Sequence, residues 1–284
     1  MSAILPNPNH SEASRIVVLD GAQGTELARR GVPTEGLAWS ARAVSEHPRA
    51  IVDLHAAYAA AGATVHTAAT FRTTPWASGP RAKSRTLEAV QLARQAVPKG
   101  HTVAGSLAPA RDCYTLADRP SDAIARAEHT QHAEHLALAG VDLILCETFA
   151  DPGETRIAVE AATSTGVETW VALTAGYRLD LCTPTEMQEL AAQVADVGVT
   201  CVLVNCVPAL NAAPFLDAVA VAGLPFGIYA NAGSEEDGVG WGAGSGPTRY
   251  ARLAKAWADR GATVIGGCCG TGPAHVAAIR KVLG

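Results

Sequence analysis

Three of the seven cysteines stand where thiol chemistry would need them. Cys206 closes the run VTCVLVNC (199–206), and Cys268 and Cys269 sit side by side in GGCCGTGP (266–273). Neighbouring side chains on an extended strand point to opposite faces, so adjacent cysteines share one target only where the backbone turns. Gly266, Gly267 and Gly270 offer the freedom for such a turn. Three sulfur ligands with one position left open is how a catalytic zinc site is built, and soft thiolates favour zinc. Taken singly, each could be a buried cysteine packing as a small hydrophobe. A disulfide between Cys268 and Cys269 would be strained. Together with the glycines, the three favour a metal.

These residues are positioned by a regular rhythm of elements. Short β-branched runs appear at 15–20, 63–67, 101–106, 141–147, 169–175, 199–206, 225–231 and 262–268, nearly all apolar, as suits parallel strands buried on both faces. Helical patterns lie between them. Pro48 opens one that carries Ile51, Leu54 and Tyr58 on a single face. DPGE (151–154) and TPTE (183–186) read as capping boxes with proline at the first helical position. Gly62, Gly140, Gly166, Gly198, Gly223 and Gly261 each stop a helix before the next strand. Eight strands alternating with helices predict an α/β fold, a single (β/α)8 barrel of the TIM type over residues 15–284, preceded by a flexible segment at 1–14. A doubly wound sheet lacks support, because DGAQGTEL after the first run holds only part of a G-x-G-x-x-G fingerprint. In such barrels chemistry gathers where strands end, and there stand Asp20, Glu147, Asn205, Cys206, Cys268 and Cys269. Cys146 and Cys201 lie inside apolar runs and read as core, whereas Cys113 and Cys182 fall in loops near the same mouth.

Bulk properties narrow the field. Apolar content of 48%, charged content of 17% and a formal charge of −5 describe a globular protein without the basic footprint of a nucleic-acid binder. The first fifteen residues lack a cationic start and a long apolar run, and no segment approaches eighteen uninterrupted apolar residues. A cytoplasmic protein with no membrane partner is expected, and an odd cysteine count there favours thiol or metal chemistry over disulfides.

The chain resembles the homocysteine S-methyltransferase family over roughly residues 15–282. The resemblance is carried by DGAQGTEL (20–27), WSARAVSEHP (39–48), GSLAPARDCY (105–114), LCETF (145–149), VNC (204–206), NAG (231–233) and GGCCGTGPAH (266–275). The pairing of VNC with a terminal GGCCG is its specific part. The resemblance implies zinc on Cys206, Cys268 and Cys269, with Asp20 and Glu147 receiving the ammonium group of homocysteine beside Gly21 and Asn205. It also implies a methyl-donor region near Trp39, Thr70, Arg72 and Asn231. The substrate thiol itself, activated by zinc, would be the nucleophile, with no nucleophile from the protein. A thiol is mostly protonated at neutral pH and loses its proton on zinc. The partners are then a small thiol and a small methyl donor, with self-association into a homo-oligomer left open.

One stretch departs from the family pattern. HTAATFRTTPWA (66–77) replaces a Thr-Asn-Thr-Tyr-like sequence, and Arg72 stands among the expected donor contacts. An arginine there could clamp a carboxylate, which suits S-methylmethionine or S-adenosylmethionine, or pair with a neighbouring acid. Trp39 aligns with a tryptophan that betaine users place near the donor, where an aromatic face attracts methylated cations; it could equally be a core or rim residue. His129, His132 and His135 recur at three-residue spacing and read as a solvated helix surface. WGAGSGP (241–247) reads as a flexible loop over the site. Other readings are methyl transfer to a different thiol or selenol, betaine-like donors, a zinc hydrolase, and a non-catalytic zinc or thiol binder. The hydrolase is weakened by three thiolates, which make zinc a poor Lewis acid.

Overall fold

A computed structural model describes residues 16–240 and 246–284. The expected N-terminal segment at 1–14 and most of the 241–247 loop lie outside the described residues; Gly246 and Pro247 open the helix Gly246–Asp259. The described residues form eight strands: β1 (Val17–Val18), β2 (Val65–Ala68), β3 (Thr102–Leu107), β4 (Leu143–Phe149), β5 (Glu168–Leu173), β6 (Cys201–Pro208), β7 (Phe226–Asn231) and β8 (Val264–Gly267). All pair in parallel in one sheet, in the order β1-β8-β7-β6-β5-β4-β3-β2. The Leu19–Val65 bridge closes the ring, helped by Thr64 N–H to Val18 O at 2.8 Å and Asp20 N–H to Val65 O at 3.1 Å. This is the expected (β/α)8 barrel, and its β1–β2 seam carries the sparsest pairing.

Alternation along the strands sorts side chains into two cores. Val17, Leu19, Val65, Ala104, Leu143, Leu145, Trp170, Leu203 and Val264 fill the barrel interior. Val18, Ala68, Val103, Ile144, Val171, Val202 and Ile228 face outward and pack under the helices. Both faces are buried, which is why the strands read as continuous apolar runs. Among the described residues no helix is long and apolar enough to cross a membrane.

Local signals act as expected, with informative exceptions. Gly62 (φ 103°) and Gly261 (φ 98°) end their helices in the left-handed region. Thr183 and Glu186 form a reciprocal capping box. At 151–154 only half of the box forms: Asp151 accepts from Glu154 N–H, but the Glu154 carboxylate turns inward to Ala110 N–H (2.7 Å) and His129 Nε2 (3.0 Å). The histidine series on the helix Asp122–Leu138 corrects the expectation of a solvated face. His129 and His132 are buried, the latter 3.2 Å from Thr73 Oγ1, and only His135 is partly exposed. They face inward because a neighbouring helix and the loop after β2 supply polar partners there, Glu154 and Thr73, a tertiary fact that spacing cannot carry.

The glycines of β8 also serve differently than expected. Of the three, only Gly270 has a positive φ (80°). Gly266 and Gly267 are glycines because of crowding: a Cβ would meet Leu19 Cβ at 2.5 Å and Thr271 Oγ1 at 2.3 Å respectively. Gly266→Ala should therefore overpack the β8–β1 contact and cost about 1–3 kcal/mol. Urea unfolding measures this, and an unchanged midpoint would contradict the crowding argument.

Candidate active site at the C-terminal mouth of the barrel

The strand ends surround a cavity of about 390 Å3, within the usual range for small-molecule sites. Asp20 and Gly21 follow β1. Glu147 lies two residues before the end of β4 and Cys206 two before the end of β6, slightly earlier relative to the strand ends than the sequence suggests. Asp20, Gly21, Glu147, Cys206, Cys268 and Cys269 all line this cavity, with Trp39 and Arg72 on its outer wall. A Cβ on Gly21 would meet Tyr58 Cε1 at 2.8 Å, so the glycine makes room for the Tyr58 hydroxyl, which donates to Ala22 O.

The three thiols converge. Their sulfurs lie within 4.8 Å of one another, and Cys206 Sγ is 2.9 Å from Cys268 Sγ. Cys268 and Cys269 reach one point because the chain turns there: Thr271 N–H and Oγ1 both bond to Cys268 O, and Gly270 takes the left-handed step. Hydrogen bonds from Cys206 and Cys268 hold the Cys269 thiol well below its ordinary pKa. The hydrogen bonds to Cys206 and Cys269, with burial, push Cys268 up. Hydrogen bonding within the cluster thus favours the thiolate at Cys269 and disfavours it at Cys268.

Cys206 itself has φ 51°, a left-handed conformation rarely taken by a residue with a side chain, within an irregularity in the β6–β7 pairing. Asn231 Nδ2 donates to Cys206 O at 3.1 Å and fixes this kink. Thr148, at φ 68°, makes a second kink beside Glu147, and Asn205 clasps it: Asn205 Oδ1 accepts from Thr148 N–H (3.2 Å) while Nδ2 donates to Thr148 Oγ1 (2.8 Å). Thr70 Oγ1 accepts from Ser106 N–H (2.8 Å) and donates to Ser106 O (3.0 Å). Asn205, Asn231 and Thr70 are therefore behind the cavity lining, shaping it rather than facing its contents. Sequence position placed them near the mouth but could not show where their side chains go.

Two carboxylates face the thiols. Asp20 accepts from Thr67 N–H (2.9 Å) and Thr67 Oγ1 (3.2 Å). Glu147 accepts from Ser106 Oγ and from the Tyr229 hydroxyl (2.9 Å). Burial nevertheless lifts Asp20 to about 8, with the Glu147 charge adding to it, and burial raises Glu147 as well. Neither makes an ion pair among the described residues, so the mouth presents two carboxyl groups awaiting a cation. Thr67, Ser106 and Tyr229 were not singled out in the sequence. The available signal was strand parity for two of them, since Thr67 and Ser106 share the inward face of their strands with Val65 and Ala104 two positions earlier, while Tyr229 itself belongs to the barrel interior.

The outer wall is aromatic. Trp39 and Phe71 meet edge to face at 5.6 Å, Trp76 and Tyr114 complete the lining, and the Arg72 guanidinium lies 5.0 Å from the Phe71 ring. Arg72 donates to Arg111 O at 2.9 Å and makes no ion pair among the described residues, so the acid-paired alternative does not occur. Cys113 also lines the cavity, its thiol pushed up to about 12 by burial. Cys182 instead bonds to Thr174 O outside the lining.

A family model described as homocysteine S-methyltransferase matches residues 17–283. The chain belongs to the homocysteine S-methyltransferase family. It is an S-methyltransferase-type enzyme, as the sequence motifs implied. The homocysteine S-methyltransferase of Escherichia coli K12 is 32% identical, over 93% of this chain and 94% of that one. Selenocysteine methyltransferase of Astragalus bisulcatus is 26% identical over 96% and 94%. The Escherichia coli homocysteine methyltransferase MmuM has been solved in a metallated form that superimposes with a TM-score of 0.79 at 28% identity, covering 94% of this chain and 96% of that one. Its oxidized form gives 0.80 over the same shares. Within this family barrel the buried carboxyl has a measurable consequence. A carboxyl whose folded pKa lies above its unfolded value binds its proton more tightly when folded, so its stability contribution is full below about 4 and is lost as pH rises toward 8. In metal-free, substrate-free protein Asp20→Asn should raise the melting temperature at pH 8 by at least about 4 °C, the gap closing toward pH 4. Equal melting temperatures at pH 8 would show that Asp20 is not held protonated by burial.

Proposed function

We propose that this enzyme transfers a methyl group from a small sulfonium donor, S-methylmethionine or S-adenosylmethionine, to the thiol of homocysteine, giving methionine. The observation that carries the reading is one cavity holding three converging thiols opposite two uncompensated carboxyls. The donor set fits zinc: tetrahedral coordination at about 2.3 Å puts sulfurs about 3.8 Å apart, a spread the three thiols accommodate within 4.8 Å. Zinc on Cys206, Cys268 and Cys269 would supply an open position at which a substrate thiol loses its proton at neutral pH.

The remaining work falls to the chain. Asp20 and Glu147 bind the substrate ammonium, which draws both carboxyls toward their charged forms. Asn231 and the Asn205–Thr148 clasp keep Cys206 and Glu147 at fixed kinks, so thiol and ammonium sites hold one spacing. Trp39 and Tyr114 line the cavity and supply aromatic surface for a sulfonium, whereas the Phe71 and Trp76 rings already carry the Arg72 and Arg111 guanidiniums. Arg72, held by Arg111 O but without an ion pair among the described residues, takes a donor carboxylate and orients the methyl group toward the acceptor sulfur. The bond between methyl carbon and sulfonium sulfur breaks as the new carbon–sulfur bond forms. The leaving sulfur keeps the electron pair, and the thiol proton goes to solvent.

Two measurements test this. Cobalt substitution should give an intense thiolate-to-metal band that Cys268→Ser abolishes; a band that survives the substitution would remove Cys268 from the metal site. In a donor panel with homocysteine, Arg72→Ala should cost about 10–100-fold in kcat/KM with S-methylmethionine, the worth of a charge-assisted contact. A carboxylate-free dimethylsulfonium donor should be unaffected, and an equal loss with both donors would refute the clamp.

A further inference from the structure

Behind the β1–β2 seam lies a pair of buried histidines that the methyl-transfer chemistry does not use, close to Asp20. His66 stands on β2 between inward-facing Val65 and Thr67, so it points out into the helix layer. There it meets His55 from the helix Pro48–Ala60, their rings 6.4 Å apart and nearly perpendicular. One ligand-capable atom from each of Asp20, His55 and His66 lies within 4.8 Å of the other two. Both histidines are fully buried and Asp20 is 4% exposed.

We propose that Asp20, His55 and His66 form a second divalent-cation site, separate from the three cysteines and selective for zinc-like ions. The leading observation is His55, a buried imidazole with no hydrogen-bond partner at either ring nitrogen. An unsatisfied buried polar group costs about 1–3 kcal/mol, so an imidazole kept there calls for a partner. His66 shows the same need at Nδ1, while its Nε2 is 3.0 Å from His101 Nδ1. A ligating histidine is commonly anchored in this way, through a hydrogen bond at its other nitrogen.

The chemistry of the set is specific. Two imidazoles and a carboxylate suit borderline ions such as zinc or cobalt, whereas magnesium and calcium prefer all-oxygen shells. Burial lowers His55 to about 4 and His66 to about 3, so both are neutral ligands at physiological pH. Asp20 also lines the open cavity, which gives an ion a route inward past the seam's single bridged pair. One corollary rests on the proposed function: an ion drawing on the Asp20 carboxylate competes with the substrate ammonium, which makes this an inhibitory site.

The test is metal counting on the full chain. Stripped, reduced protein is loaded with zinc, gel-filtered and analysed for metal per chain, and a cadmium-113-loaded sample is examined by NMR. Wild type should hold two zinc ions per chain and give two cadmium resonances, one thiolate-rich and one from nitrogen and oxygen ligands. His55→Phe and His66→Leu should each hold one, with affinity for the second ion reduced at least about 100-fold. Melting of the metal-free variants controls for folding, and His55→Phe should not fall below wild type because it removes an unpartnered polar group. A single ion in wild type, lost in Cys268→Ser and unchanged in His55→Phe, would overturn the proposal and leave the imidazoles to buried water. A single ion that survives Cys268→Ser but disappears in His55→Phe would support this site and remove the cysteine one.

Discussion

The structure depends on an electrostatic debt at one end of the barrel. Asp20 and Glu147 are buried opposite three thiols, and neither carboxyl makes an ion pair among the described residues. Burial pushes both carboxyls toward their neutral forms, and a cation arriving from outside would favour the charged ones. A folded chain could have avoided this by placing lysine or arginine among them. Arg72 does line the cavity, but its guanidinium lies against Phe71 and bonds to a backbone carbonyl. Without a cation, burial raises both carboxyls above their ordinary range, and the three thiols are held together by hydrogen bonds among themselves. The proposed metal and amino-acid ammonium would each meet groups that no cation among the described residues neutralises.

Holding such a site requires rigid backbone in conformations that strands do not ordinarily offer. β4 and β6 run regularly through the apolar interior, then kink at Thr148 and Cys206 with positive φ. Left-handed backbone costs a non-glycine residue roughly 1–2 kcal/mol. The kinks persist because Asn205 binds both the amide and hydroxyl of Thr148, and Asn231 binds the Cys206 carbonyl. The two asparagines thus act one layer behind the cavity. Crowding at Gly266 and Gly267 performs the same service on β8, pressing it against Leu19 and Thr271 so that Cys268 and Cys269 emerge where the chain turns.

What the sequence made legible follows from how local each signal is. The eight apolar runs and their helix-ending glycines are local, and the barrel follows from their alternation. The cysteines and acids at strand ends were legible because the barrel rule converts strand-end position into convergence. Asn205, Thr70 and Asn231 were placed at the mouth on the same ground, yet their side chains turn to backbone groups of Thr148, Ser106 and Cys206 on other strands. His129 and His132 failed in the opposite direction. A polar helix face looks solvated until Glu154 and Thr73, from other elements, are known to meet it. The glycines of GGCCG were rightly seen as needed, but packing rather than backbone freedom explains two of the three.

The same charge distribution gives the proposed reaction its direction. A sulfonium donor is cationic at the sulfur that gives up its methyl group, and an ionised acceptor sulfur is anionic. Transfer turns both into neutral thioethers. Attraction between donor and mouth is therefore strongest before the carbon–sulfur bond moves and is lost once it has. In a cavity lined by Trp39, Phe71, Trp76 and Tyr114, whose surroundings are less polarisable than water, that difference is larger than it would be in bulk solvent. Cation–ring attraction disappears with the same step, because a neutral thioether has no positive charge to offer the aromatic faces. Substrate binding and product release are then two consequences of one arrangement: an electron-rich mouth that the chain alone leaves unpaired.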